Sequence, residues 1–211
     1  MDETLSHIHR FEKGAEANAR PPLLLLHGTG GDENDLVSLA RMIAPTAPLL
    51  SPRGKVLEDG MPRFFRRLAE GVFDEDDVRR RAQELAEFVK EARARYGISS
   101  PIALGYSNGA NVAAAMLLIR PEALAGAILL WAMAPLSRTP QVDLTGKSIL
   151  IVSGQRDAII QPERAAQLAT QLRQHGATVE HRILPTGHEL SQADVTSARA
   201  WLHALEHSAM Q

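Results

Sequence analysis

The stretch Gly105-Tyr106-Ser107-Asn108-Gly109 constrains this chain more than any other. It is entered by an apolar, strand-like run starting at Ile102, and left by Ala110-Asn111-Val112-Ala113-Ala114-Ala115-Met116-Leu117-Leu118. The second run is rich in Ala and Leu and reads as a buried helix. A serine between two glycines at a strand-to-helix junction marks a sharp turn with a strained serine backbone. Side chains at 105 and 109 would jam the strand against the helix, so both positions demand glycine. The serine hydroxyl is left standing at the end of a sheet. The bland reading of the same pattern is an ordinary tight turn.

The rest of the chain says what kind of sheet this is. Pro22-Leu23-Leu24-Leu25-Leu26, Ala127 to Met133 and Ser148 to Ser153 are continuous apolar runs, as strands buried on both faces require. A short strand over Ala47–Ser51 and a last one over Thr178–Leu184 join them, and Ser6–Glu12 alternates like an edge strand with Ile8 and Phe11 as anchors. His7 and His9 would then share its exposed face. Lys13 to Arg20 reads as a polar turn. Helices are expected between the strands: one capped by Asp32 and carrying Leu36, Leu39, Ala40 and Ile43, one over Asp74–Tyr96, one over Pro162–Gln174, and a last one from Ser191. The Asp74 helix has acids at its start, bases near its end and Gly97 after it, all in accord with the helix dipole and a left-handed cap. Pro52-Arg53-Gly54 leads into a loop through Gly60, Met61 and Pro62, and the aromatic and basic patch Arg63-Phe64-Phe65-Arg66-Arg67 after it reads as either a solvated lid or a pocket wall. Strands alternating with helices specify an α/β domain with a mostly parallel sheet and helices on both faces.

The length of 211 residues suits one such domain over 1–211. A domain of this size buries roughly 70% of its unfolded surface and needs no staples. There is no cysteine, which excludes disulfides, thiolate metal sites and a cysteine nucleophile. With 23 basic and 25 acidic residues the net charge is -2, so neither nucleic acid nor an anionic membrane is an expected partner. Met1 to Leu5 has no basic n-region, and the apolar stretches fall far short of the ~20 residues that span a bilayer. The expectation is a cytoplasmic protein.

Serine hydroxyls are poor nucleophiles without a base, and the base needs an orienting carboxylate. On a sheet of this kind the chain order is serine, acid, histidine, and reactive groups gather beyond the carboxyl ends of the strands. Asp157, just past the strand ending near Ser153, is the best acid. Asp143 precedes that strand, and Asp194 is accounted for by Ser191-Gln192-Ala193-Asp194, a capping box. His188 follows a strand and precedes a helix; His175 sits at a helix end and His181 inside a strand. His203 and His207 stand four apart on the last helix, but with no Glu between them in the metalloprotease pattern and no third ligand evident. For a developing oxyanion, the expected donors are the amides of Asn108 and of Thr29 in the loop His27-Gly28-Thr29-Gly30-Gly31. A dinucleotide loop fails here, because G-x-G-x-x-G from Gly28 would need glycine where Glu33 stands.

Five motifs in order, Leu26 to Glu33, Ser51-Pro52-Arg53-Gly54, Gly105 to Gly109, Gly154-Gln155-Arg156-Asp157 and Gly187-His188, resemble the small carboxylesterase/phospholipase branch of the α/β-hydrolases. That branch includes acyl-protein thioesterases and bacterial esterases of hydroquinone-stress regulons, and Pro62 to Arg66 is similar to the latter. The resemblance spans about residues 5 to 206. It implies an α/β-hydrolase fold without a large cap domain and a Ser107–Asp157–His188 triad. It also implies an oxyanion hole from Thr29 and Asn108, and activity on a small-molecule carboxylic ester with no metal and no cofactor. Phe64, Phe65, Tyr106, Trp131, Met133 and Leu136 are the expected pocket residues. The rival readings are an acyl thioesterase or lysophospholipase with the same triad, a ligand-binding receptor on the same scaffold, and a non-catalytic interaction protein. A homodimer and a monomer are both left open.

Overall fold

The computed structural model describes residues 5–15 and 20–208. Residues 1–4, where the acidic start was read, and 16–19 of the expected polar turn lie outside the described residues. A seven-stranded sheet organises the chain. It is built from β1 (His9–Glu12), β2 (Leu23–Leu26), β3 (Leu49–Pro52), β8 (Ile102–Tyr106), β9 (Gly126–Leu130), β10 (Ser148–Gly154) and β11 (Thr178–Leu184), in the order β1-β3-β2-β8-β9-β10-β11. Only β1 runs antiparallel, against β3; the other neighbours are parallel.

The side-chain period of two explains how Leu23–Leu26 can be entirely apolar. Leu24 and Leu26 enter one core and Leu23 and Leu25 the other, and all four are completely buried. The first core holds α2 (Glu75–Tyr96), α3 (Asn108–Ile119) and α4 (Pro162–Gln174); the second holds α1 (Val37–Ile43) and α5 (Gln192–Ser208). Each buried leucine contributes about 1.5–3 kcal/mol of transfer free energy. Two apolar faces leave the strand no solvent side, which is why it does not alternate.

Helix ends follow the capping rules where the sequence supplies a cap. Asp74 accepts the Asp77 N–H at the start of α2, and Gly97 closes it with φ 64° and a bond to Arg93 O. Asp194 reaches back to the Ser191 N–H at 2.8 Å and also accepts the Ser191 hydroxyl. Asp32 does not cap α1: its carboxylate accepts the Asn34 N–H two residues on, a local turn, and the helix starts only at Val37.

Two readings of the sequence need correction. His7 is buried and Ile8 is 65% exposed, so the pleat of the first strand is the reverse of the expected one. His7 and His9 rest on Phe88, and His9 bonds Tyr96 Oη at 2.7 Å, so the aromatic residues of α2 take the histidines inward. The stretch through Gly60, Met61 and Pro62 and the patch after it are not a simple loop. They form two small hairpins, β4 (Val56–Glu58) with β5 (Met61–Arg63), and β6 (Arg67–Ala69) with β7 (Val72–Phe73). Asp59 and Gly60, at φ 51° and 79°, make the tight turn of the first. The Asp77 carboxylate, buried in α2, accepts the Arg66 N–H at 2.8 Å and ties the hairpins to the body. No helix among the described residues is long and apolar enough to cross a membrane.

Candidate active site

The strand β8 delivers Ser107 into a left-handed backbone conformation, φ 51° and ψ −114°, directly ahead of α3. A non-glycine residue there is strained and persists because its surroundings dictate it. Ser107 N–H donates to Leu130 O on the neighbouring strand at 2.9 Å, and its carbonyl accepts the Asn111 N–H at 3.0 Å. At Gly105 a β-carbon would stand 2.6 Å from Ala110 Cα, so the steric demand for glycine is real.

β10 and β11 bring the other two groups. Gly154 pairs with Leu184 at the ends of the strands, and the loops beyond stay stitched: Gln155 N–H to Leu184 O at 2.7 Å and Arg156 N–H to Thr186 O at 3.0 Å. This places Asp157 Oδ2 2.7 Å from His188 Nδ1, and His188 Nε2 3.1 Å from Ser107 Oγ. The other Asp157 oxygen accepts the N–H groups of Ile159 and Ile160, both at 2.8 Å. A carboxylate only accepts, so Nδ1 carries the imidazole proton and Nε2 offers a lone pair to the serine hydroxyl. Tyr106 fixes the histidine loop by donating its hydroxyl to His188 O at 2.9 Å.

The loop after β2 borders the same cleft. His27 is buried; its Nδ1–H donates to Gly28 O at 2.6 Å and its Nε2 accepts the Gly54 N–H at 3.0 Å. Burial lowers its pKa, which keeps the ring neutral as that acceptor role requires. Gly30 N–H is taken by Pro62 O and Gly31 N–H by Gly28 O, while no backbone acceptor for the Thr29 N–H occurs among the described residues. Asn108 opens α3, so its N–H has no partner within the helix.

A cleft of about 250 Å³ lies over these groups, with Thr29, Tyr106, Ser107, Asn108 and His188 at its reactive end. Phe73, Met133, Ile159 and Ile160 supply apolar wall, and Arg63, Arg67 and Glu70 a polar one. Four of the expected pocket residues do not line it. Phe64 and Phe65, in the link between the two hairpins, are buried in the core that also holds α2 and α3, while Arg63 and Arg67 on either side of them line the cleft. Trp131 is completely buried in the opposite core, its ring 5.8 Å from that of His188. Leu136 borders an adjoining cavity of about 290 Å³ that shares Phe73 and Met133 with the first. Sequence reasoning missed Asn111, Phe73, Ile159 and Ile160, and the burial of Arg63; Arg63 and Arg67 carried a signal, as part of the aromatic and basic patch.

The remaining histidines stand apart. His181 bonds Ser153 Oγ at 2.8 Å, and His175 bonds Thr139 Oγ1 at 2.9 Å. The rings of His203 and His207 are 4.1 Å apart, and no group of three or more metal-ligating side chains occurs among the described residues.

The phospholipase/carboxylesterase family profile matches residues 11–206. The chain belongs to this family. MhqD of Bacillus subtilis is 45% identical over 195 residues, 92% of this chain and 96% of MhqD. Among solved structures, the Bacillus cereus carboxylesterase superposes with a TM-score of 0.92 at 43% identity, covering 94% of each chain. The carboxylesterase of Mesorhizobium loti does so with a TM-score of 0.84 at 38% identity, over 88% of this chain and 90% of that one. The fold is therefore the α/β-hydrolase fold of the phospholipase/carboxylesterase family, without a large cap, and the protein is a hydrolase of carboxylesterase type.

Proposed function

We propose that this protein is a serine carboxylesterase acting on small to medium carboxylic esters. The observation that carries the reading is the unbroken hydrogen-bonded line from Asp157 through His188 to Ser107, ending on a strained turn beside the Thr29 and Asn108 amides. His188 Nε2 takes the Ser107 proton as Oγ bonds to the ester carbonyl carbon. The carbonyl oxygen becomes an oxyanion held by the Thr29 and Asn108 amides. Asp157 stabilises the imidazolium without itself taking the proton. As the tetrahedral adduct collapses, the carbon–alkoxy bond breaks and the alcohol leaves with the proton from His188. Water then gives His188 a proton and attacks the acyl carbon, and release of Ser107 with that proton frees the carboxylic acid. Every step uses the chain's own groups.

The cleft volume favours short and medium acyl groups over long ones. Hydrolysis of p-nitrophenyl esters from acetyl to palmitoyl, with native protein beside Ser107→Ala, tests the reading. Activity abolished in the variant supports it, and equal activity in both would overturn it. The adjoining cavity behind Met133 favours the second reading, a thioesterase or lysophospholipase. Matched thioesters and oxygen esters of the same acyl group separate the two.

A further inference from the structure

Thr29 lies between Gly28 and Gly30, and Gly30 has φ 85°. Glycine on either side gives this turn little stiffness of its own. An oxyanion donor must nevertheless be in place before the reaction begins. The restraint comes from one short piece of chain. Pro62 O accepts the Gly30 N–H at 2.9 Å, Arg63 Nη1 donates to Thr29 Oγ1 at 2.7 Å, and Phe64 N–H donates to Asn108 Oδ1 at 2.8 Å. Three consecutive residues thus hold both residues assigned to the oxyanion.

Arg63 is the unusual member of the three. Its side chain is 4% exposed, so its charge has been taken almost wholly out of water. Nε lies 3.2 Å from both Phe65 O and Glu58, and Glu58 also pairs with Arg67 at 2.7 Å. A buried ion pair is a poor way to stabilise a hairpin, since apolar residues of similar volume would do as well without the desolvation penalty. What an apolar residue could not do is donate to the Thr29 hydroxyl.

We infer that Arg63 is a positioning residue: by holding the Thr29 hydroxyl, it sets the Thr29 amide at the separation from Asn108 that a tetrahedral oxyanion needs. The inference rests on the serine esterase reading. Thr29→Val removes the hydroxyl, keeps the backbone amide and alters an exposed residue of nearly unchanged volume. It should lower kcat on p-nitrophenyl acetate about 10- to 100-fold, the cost of small misplacement in an active site. KM should stay within about twofold, because the lost interaction belongs to the transition state. Arg63→Ala should lower kcat at least as far, and the double variant should be no worse than Arg63→Ala alone, since all three lose the Arg63–Thr29 contact and Arg63→Ala also loses those to Phe65 O and Glu58. Arg63→Lys should recover part of the rate, as an ammonium still donates but lacks the fork. Affinity for an arylboronic acid, which forms a tetrahedral adduct on a serine, should fall in step with kcat.

The inference is overturned by native kcat in Thr29→Val, by losses that multiply in the double variant, or by a raised KM at unchanged kcat. If Arg63→Ala does not fold, Thr29→Val and the boronate decide alone. Ser107→Ala run alongside separates the two levels. Activity surviving in Ser107→Ala overturns the serine mechanism. Activity lost in Ser107→Ala but indifferent to Thr29→Val overturns the role of Arg63 only.

Discussion

A β-carbon on Gly109 would lie 1.9 Å from the carbonyl oxygen of Leu26. The first turn of α3 is therefore in backbone contact with the end of β2, and Ser107, two residues before Gly109, is seated by that contact. Gly109→Ala must push the helix off the sheet. Overpacking of this kind costs about 1–3 kcal/mol, measurable by urea unfolding. Esterase activity should fall further than stability suggests, by about 10²-fold, because Ser107 moves with the helix.

Asp157→Asn should leave the fold intact and lower kcat about 10³- to 10⁴-fold at neutral pH. The reason is which oxygen does what. One Asp157 oxygen is committed to the Ile159 and Ile160 amides, so the asparagine oxygen takes that position and its NH₂ faces His188. His188 must then offer a lone pair at Nδ1 and a proton at Nε2, and cannot accept from Ser107. Steady-state rates alongside a thermal melt check this; a melt near that of native protein with an unchanged rate would contradict it.

Met133 lines both the cleft over Ser107 and the adjoining cavity. Met133→Ala should join the two and raise octanoyl over acetyl ester selectivity by up to about tenfold, the scale on which apolar pockets discriminate chain length. The kcat/KM profile across p-nitrophenyl esters reads the shift directly.

Acid should destabilise the protein through His7. Burial, with Lys55, Arg81 and His9 nearby, pulls its pKa from 6.5 to about 3. Between those values the unfolded chain binds a proton that the folded chain refuses, so stability is held above pH 6.5 and lost as the pH falls. From about pH 6.5 to 5 the loss attributable to this group is about 1–2 kcal/mol. His7→Phe should flatten that part of the curve in urea titrations at the two pH values. An unaltered slope would assign the acid sensitivity to other groups.

The strands and the Ser107–His188–Asp157 cluster were legible because both follow from local rules. A doubly buried strand must be apolar throughout, as Leu23–Leu26 is, and a tight turn from strand to helix must spare side chains at 105 and 109. Asp157 and His188 could be picked out because each follows a strand's carboxyl end, outside any helix, strand or capping pattern visible in the sequence. The cleft walls were illegible for the opposite reason. Phe64 and Trp131 carry as much aromatic character as a pocket residue would, and only tertiary packing turns them into the two cores. The pleat of the first strand failed similarly: Ile8 is the more apolar, but Phe88 and Tyr96 sit where the histidines can meet them. Ile159 and Ile160 reach the cleft only because the Asp157 carboxylate folds the loop back on itself.

The two hairpins at residues 56–73 lie outside the seven-stranded sheet, in one continuous insertion between β3 and α2. They contribute Arg63, Arg67, Glu70, Gly71 and Phe73 to the cleft, whereas the serine, acid and histidine all hang from the sheet. The proposed triad and one wall of the cleft thus sit on separable lengths of chain. A lineage, or an engineer, could exchange this single insertion and acquire a new clientele of esters, as long as the replacement still offers a donor where Arg63 meets Thr29.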